Sequence, residues 1–414
     1  MEYVKKIKRG VLSAVGKVVN SLAQNEGGRN VGETVITPGM PELIRAAAAE
    51  GTVLLKNDGI LPYPEGTRVS VFGRVQLDWF CVGYGSGGDI NAPYKRNLLE
   101  ALRESTTLKV NEELASIYEG WCAQNPADHG FWGHWPRCHE EMPLTKEIAA
   151  KAASVSDCAV IVIGRSAGED RENALEGGSY YLTDAERQML RAVTDTFKSV
   201  TVAVNAGNII DMSWLREYGD TIGAVLIPWQ GGMESGNSLA DVLSGISEPS
   251  GRLTDTVAAK YSDYPSAADF GNREYNNYTE DIFVGYRYFE SFAKDAVLYP
   301  FGFGLGYTQT DIKFLSASLN KTENGGTAEI RVRVENTGNR AGKEVSEVYC
   351  EAPQGTLGKA SRVLVAFEKT DIIPSGSNQE LTLRFPLYLA ASYDDSGKTS
   401  NKACYVLESG EYGI

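Results

Sequence analysis

The run Ala159-Val-Ile-Val-Ile-Gly164 constrains the fold more than any other stretch of this chain. It is short, continuously apolar, rich in β-branched side chains and closed by glycine. Such a run reads as a central strand of a parallel sheet, buried on both faces. A strand without a polar face needs helices above and below it. The flanking sequence supplies that alternation. A helix over 41–50 leads to a strand at 52–56, and a second strand follows at 68–73. Then come a helix over 94–103, a strand at 107–110, and helices over 112–123 and 146–153. After the central strand, Thr183 and Glu186 form a capping box. It opens a helix with Ala185, Met189, Val193 and Phe197 on one face. Strands at 200–205 and 222–227, a short helix over 212–218 and a helix from 231 to 244 complete a mostly parallel α/β sandwich over 41–255.

Directly beyond the central strand stand Arg165-Ser-Ala-Gly168-Glu169-Asp170-Arg171. In open α/β sheets, chemistry sits outside the carboxyl ends of the strands. A carboxylate held there between arginines and a glycine is a candidate catalytic group. A solvated loop with a structural ion pair is the alternative, since charged loops are common there.

With 414 residues the chain is too long for one ordinary domain. Residues 256–310 are rich in Tyr, Asn, Asp and Gly, with little periodicity, and are expected to form an ordered connecting segment. From about 311 the pattern turns β. Glu329-Ile-Arg-Val-Arg-Val-Glu335 alternates strictly, and short strands follow at 345–350, 362–367 and 380–385. This spacing predicts an antiparallel sandwich of about 100 residues, with another strand starting at Glu411-Tyr-Gly-Ile414.

The net charge of −14 argues against nucleic acid and anionic membranes as partners and fits a neutral small molecule or sugar. No run reaches the roughly 18 apolar residues of a membrane span. Residues 1–24 are basic and amphipathic but lack the layout of a signal peptide. They read as a helix on the domain, or as a membrane-surface or subunit contact, so a homodimer is one expectation. The six cysteines are scattered without a CxxC pair, which predicts free thiols and a cytoplasmic protein.

Two glycine runs invite over-reading. Gly83-Tyr-Gly-Ser-Gly-Gly88 imitates a dinucleotide fingerprint but lies about ten residues past its strand, so it is set aside. Phe301-Gly-Phe-Gly-Leu-Gly306 reads as a tight turn between packed aromatics. His129, His134 and His139 share one window with Cys138, Phe131, Trp132 and Trp135. Their spacing fits neither zinc-finger nor HExxH geometry, so no metal is assigned. The aromatics either stack on sugar rings or anchor the loop to its own domain.

A family resemblance emerges from these residues together. Ile163-Gly-Arg-Ser-Ala-Gly-Glu-Asp-Arg171 with Tyr180-Tyr-Leu-Thr resembles the acid/base loop of glycoside hydrolase family 3 β-glucosidases. So do Gly51-Thr-Val-Leu-Leu-Lys-Asn57, Trp229-Gln-Gly-Gly-Met-Glu234, Asp241-Val-Leu-Ser-Gly245 and Pro249-Ser-Gly-Arg-Leu253. Val284-Gly-Tyr-Arg-Tyr-Phe289, Pro300-Phe-Gly-Phe-Gly-Leu-Gly-Tyr-Thr308 and Val334-Glu-Asn-Thr-Gly338 continue the match in one order, from about 45 to 410.

The resemblance implies an N-terminal helical extension over 1–40, the α/β sandwich over 41–255, the connecting segment over 256–310 and a fibronectin-type-III-like domain over 311–414, incomplete at its end. It places the general acid/base on Glu169, with Glu172 and Glu176 as fallbacks because Asp170-Arg171 replaces a longer, glycine-rich stretch. Trp132, Trp135 and Arg171 are the expected substrate contacts. Arg165 and Arg171 are expected to orient the loop through partners such as Asp170. The family's nucleophile is an aspartate on a TIM-barrel-like domain, here expected beyond residue 414 or on another chain, as in members with inverted domain order. The implied activity is retaining hydrolysis of β-linked gluco-oligosaccharides or aryl β-glucosides, without metal or organic cofactor. A β-xyloside is the alternative substrate, and a non-catalytic carbohydrate-binding or scaffold fragment the alternative function.

Overall fold

A computed structural model describes residues 36–85, 92–128, 130, 135–169, 172–322 and 325–414. The basic stretch over 1–24 lies outside these residues. The chain divides into two compact units. One comprises Met1–Ile210 and Trp214–Pro249, the other Asp211–Ser213 and Ser250–Ile414.

The first unit is built on a sheet of β1 (Val53–Asn57), β2 (Arg68–Phe72), β3 (Lys109–Val110), β4 (Cys158–Arg165), β5 (Val200–Ala206) and β6 (Ala224–Ile227). The strand order is β1-β6-β5-β4-β2-β3. Edge strand β1 runs antiparallel to β6, and the other pairings are parallel. Every residue of β4 and β5 is buried, as expected for central, mainly apolar strands of a parallel sheet.

The helices are α1 (Met40–Gly51), α2 (Leu98–Glu104), α3 (Glu112–Gln124), α4 (Lys146–Ala153), α5 (Asp184–Thr194), α6 (Leu215–Tyr218) and α7 (Ser235–Ser244). The helix expected from residue 94 begins at Leu98. Asn97 caps it, accepting from the Glu100 N–H while the Glu100 carboxylate accepts from the Asn97 N–H. The Thr183–Glu186 capping box forms as the spacing predicts and opens α5 with Met189, Leu190 and Val193 buried.

In the second unit the aromatic-rich segment is ordered around a β7 (Val257–Ala258) and β8 (Val297–Tyr299) pair and α8 (Tyr286–Phe292). Tyr264 meets Phe289 edge-on, and Tyr286 stacks on Phe301. Beyond it, β9 (Thr310–Thr322), β10 (Gly325–Asn336) and β13 (Asn378–Pro386) form one antiparallel sheet in the order β13-β10-β9. A second sheet pairs β11 (Val345–Cys350) with β12 (Val363–Lys369), and β14 (Ser392–Asp394) with β15 (Cys404–Val406) makes a hairpin. The core gathers Ala328, Ile330, Val332 and Val334 of β10, Leu381, Leu383 and Phe385 of β13, and Val348, Cys350 and Val365 of the facing sheet. The molecule is thus an α/β domain with a mostly parallel sheet, followed by antiparallel β structure.

Candidate active site

β4 delivers its last residue, Arg165, to the carboxyl edge of the sheet, and Arg165 fixes the loop that follows. The guanidinium donates to both carboxylate oxygens of Glu186, at 2.6 and 2.8 Å, and to the carbonyls of Gly164, Ser179 and Tyr181. A guanidinium has five N–H donors; all five are spent here. Glu186 therefore closes the cap of α5 and neutralises Arg165 at once. The pair is almost fully buried, and its geometry ties the strand end, the turn near Ser179 and the helix start together. The partner that orients Arg165 is Glu186, the third residue of α5, whereas the sequence pointed to Asp170. Asp170 and Arg171 lie outside the described residues.

Glu169 is placed by backbone. Tyr84 and Gly168 form a parallel bridge: the Tyr84 N–H donates to the Ala167 carbonyl at 2.7 Å, and the Glu169 N–H donates to the Tyr84 carbonyl at 3.1 Å. Two glycines make this approach possible. Gly168 has φ near 126°, and a Cβ there would lie 2.0 Å from the Tyr84 carbonyl oxygen. A Cβ on Gly85 would lie 2.4 Å from the Glu169 Cβ. The Glu169 side chain is exposed at this edge. With every Arg165 donor engaged, that cation cannot clamp the Glu169 carboxylate.

The neighbouring strand ends are bound into the same edge. Asn205 of β5 accepts from the Phe80 N–H at 2.9 Å and donates to the carbonyls of Phe80 and Trp229. Trp135 is 4% exposed, and its ring stacks on Tyr84 at 5.5 Å with the planes 9° apart. Its face is given to the residue that holds Glu169. Trp132, Phe131, His129 and His134 lie outside the described residues. His139 is buried and stacks on Phe80 at 4.6 Å. Among the described residues no His, Cys, Asp or Glu group could hold a metal ion. Of the fallback acids, Glu172 takes an Arg137 hydrogen bond on its carbonyl, and Glu176 lies 3.7 Å from Arg137 within the 174–181 turn.

A second buried polar knot secures the long segment before α4. The Arg74 N–H donates to Glu141 at 2.9 Å. The Arg74 guanidinium reaches Asp78 and the carbonyls of Glu140 and Asn125, and lies over the Trp121 ring. Burial pushes the Glu141 carboxyl up to about 8, against the pull of the Arg74 and Met142 backbone N–H groups.

Sequence reasoning missed Tyr84 and Gly85 as the support of Glu169. Their signal was present in the glycine run from Gly83. It was read only as a failed nucleotide motif, whereas Gly83 and Gly85 serve close backbone approach.

With the α/β architecture and this strand-end carboxylate described, comparison with known proteins places the chain. Residues 52–307 match the Glycosyl hydrolase family 3 C-terminal domain, and residues 344–414 the Fibronectin type III-like domain. The chain is 47% identical over 365 residues to a beta-glucosidase of Ruminococcus albus, covering 88% of this chain and 38% of that protein. It is 39% identical to beta-glucosidase A of Butyrivibrio fibrisolvens, covering 90% of this chain and 48% of that one. The crystal structure of a beta-glucosidase from Paenibacillus barengoltzii superposes with a TM-score of 0.89 at 50% identity, covering 91% of this chain and 42% of that chain. The chain belongs to glycoside hydrolase family 3. It spans less than half the length of these relatives.

Proposed function

We propose that this chain is the acid/base half of a retaining β-glucosidase, with Glu169 as the general acid/base. The observation that carries the reading is the backbone clamp of Glu169 to Tyr84 at the carboxyl edge of β4, beside an arginine whose donors are all engaged elsewhere. A retaining glycosidase holds two carboxyl groups about 5–5.5 Å apart. The second, a nucleophilic aspartate, belongs to a TIM-barrel-like domain in the part of the protein that the relatives' length allows for. That aspartate attacks the anomeric carbon while Glu169 gives its proton to the leaving oxygen. Glu169 then takes a proton from the water that releases the sugar. No metal or organic cofactor enters these steps. The acid must hold its proton near neutral pH, which enclosure by the barrel and the negative nucleophile supply. The names of the relatives favour a β-glucoside over a β-xyloside. Arg171 and Trp132 are proposed to contact the sugar, and Trp135 to support the clamp.

The test is the Glu169→Ala variant of the full-length gene product. Turnover of disaccharides should fall about 10²–10⁴-fold. Activated aryl β-glucosides should suffer much less in the first step, and azide should restore their deglycosylation. Near-normal disaccharide kinetics would move the role to Glu172 or Glu176.

A further inference from the structure

The second unit carries a cavity that the Glu169 chemistry does not use. In β11 the buried positions Ser346, Val348 and Cys350 alternate with Glu347 and Tyr349, which therefore leave the sheet on the side away from its core. The aromatic connecting segment crosses that side. The Tyr286 ring of α8 meets Tyr349 edge-on at 6.0 Å and stacks on Phe301 at 4.6 Å. Its hydroxyl accepts from the Leu364 N–H at 2.8 Å, which pins α8 to β12. These three rings, with Thr256, Glu290, Glu347 and Arg362, line a cavity of about 260 Å³ that lies wholly within the unit. Sites for drug-sized ligands hold about 300–1,000 Å³, so this one has room for a single ring.

The polar groups of the cavity are held in place without being used up. Arg362 donates through Nε and Nη2 to one oxygen of Glu290, Oε2, and its guanidinium lies over the Tyr349 ring. The Tyr349 hydroxyl donates to Oε2 of Glu347 at 2.7 Å. On both carboxylates Oε1 accepts nothing from the described residues. Thr256 is 3% exposed, and its hydroxyl has no hydrogen-bond partner among the described residues. A buried hydroxyl left so is costly unless an occupant of the cavity pairs with it. Gly302 gives the Glu347 carboxylate its place: φ there is near 79°, and a Cβ would lie 2.2 Å from Oε2. Charge then selects the ligand. Glu290 faces both Arg362 and Lys294, the latter at 3.4 Å, and Glu347 is the second anion. Two cations against two carboxylates give neither an amine nor an anion a net attraction. Aromatic walls with a few convergent polar groups fit a molecule with C–H faces and a hydroxyl rim. We infer that this cavity is a sugar-binding site for one neutral pyranose, whose C–H groups rest against the rings and whose hydroxyls pair with Glu347, Glu290 and Thr256. The inference goes beyond the Glu169 reading and does not rest on it.

The experiment follows amide exchange in the full-length gene product with glucose at about 50 mM, above the millimolar Kd expected of so small a ligand. Exchange over residues 301–303 and 347–349 should slow about threefold or more. Glu347→Ala should remove that slowing and Glu347→Gln, which keeps an acceptor, should retain part of it. Thr256→Val keeps the shape and should raise the half-saturating glucose concentration about fivefold. All three variants should hydrolyse aryl β-glucosides as the native protein does, which shows that they fold. No slowing in the native protein overturns the inference. So does equal slowing in the native protein and in Glu347→Ala, the mark of a general cosolute effect. Protection by tetramethylammonium in place of glucose overturns it too and makes the cavity an amine site. Normal disaccharide turnover in Glu169→Ala would refute the acid/base reading and leave the glucose result standing.

Discussion

β4 and β9 are both long strands with several branched or aromatic residues, and their fates are opposite. All eight residues of β4 are buried; none of the thirteen residues of β9 is. β4 lies between β2 and β5 in a parallel sheet, which is covered on both faces in such folds. β9 has one paired edge and an apolar face with nothing opposite it among the described strands. Burial is thus set less by a strand's own composition than by whether the layer facing it is present. Among the described residues β4 has a neighbour on each edge, while one face of β9 stays open to solvent.

The sharpest way to break this comparison is at the end of β4. Arg165→Ala removes a buried cation and takes its hydrogen bonds from Glu186 and from the carbonyls of Gly164, Ser179 and Tyr181. Truncating one member of such a pair costs about 3–5 kcal/mol. Urea unfolding of the α/β unit should show a loss of that size, with Arg165→Lys intermediate because a lysine cannot reproduce the planar fork. A loss under about 1 kcal/mol would mean that the loop beneath Glu169 is held by something else.

The two units should also answer pH in opposite senses. Glu141 keeps its proton up to about 8 when folded, against an ordinary value near 4.3. Below both values nothing is lost. Between them the unfolded chain releases a proton that the folded one retains, so the α/β unit loses stability as pH rises, by up to about 1.4 kcal/mol per pH unit. In the sandwich, the Thr399 hydroxyl and the N–H groups of Thr399, Gly397 and Lys398 hold Asp394 down at about 2. That stabilisation is complete above the ordinary aspartate value and is lost as pH falls through about 2. Thermal scans from pH 3 to 8 should show the first transition falling toward alkaline pH and the second falling toward acid. Glu141→Gln should flatten the former, and Asp394→Asn the acid limb of the latter. Parallel pH profiles for the two transitions would refute the assignment.

The legible parts of the sequence were those whose neighbours lie close along the chain. The apolar run at Ala159, the Thr183–Glu186 box and the strict alternation near Glu329 each specify an element locally, and each formed. β9 was not legible as a strand because the register shifts between Arg331 and Val332, which places Leu315 out of alternation. The carboxylate at Glu169 could be found from its place after a strand. Its support was missed, because Tyr84 is far away in sequence and acts through its backbone, and the glycines beside it were read as a failed nucleotide motif. Trp135 shows the same limit: an aromatic in a loop looks the same in sequence whether its ring faces a sugar or another ring.

The smallest expected effect tests the comparison most directly. Leu319 and Leu383 are leucines of one sandwich: Leu383 is 2% exposed and lies opposite Ile330, while Leu319 is 61% exposed and lies opposite Ala328. Leu383→Ala removes buried methyl groups and leaves a cavity, at a cost of about 2–5 kcal/mol. Leu319→Ala in the 414-residue chain removes methyl groups that water already touches, so unfolding should change by less than about 0.5 kcal/mol. The same substitution becomes costly only if a strand covers β9. A Leu319→Ala loss above about 1.5 kcal/mol in the 414-residue chain would mean that β9 is already covered, and the contrast between the two strands would fall with it.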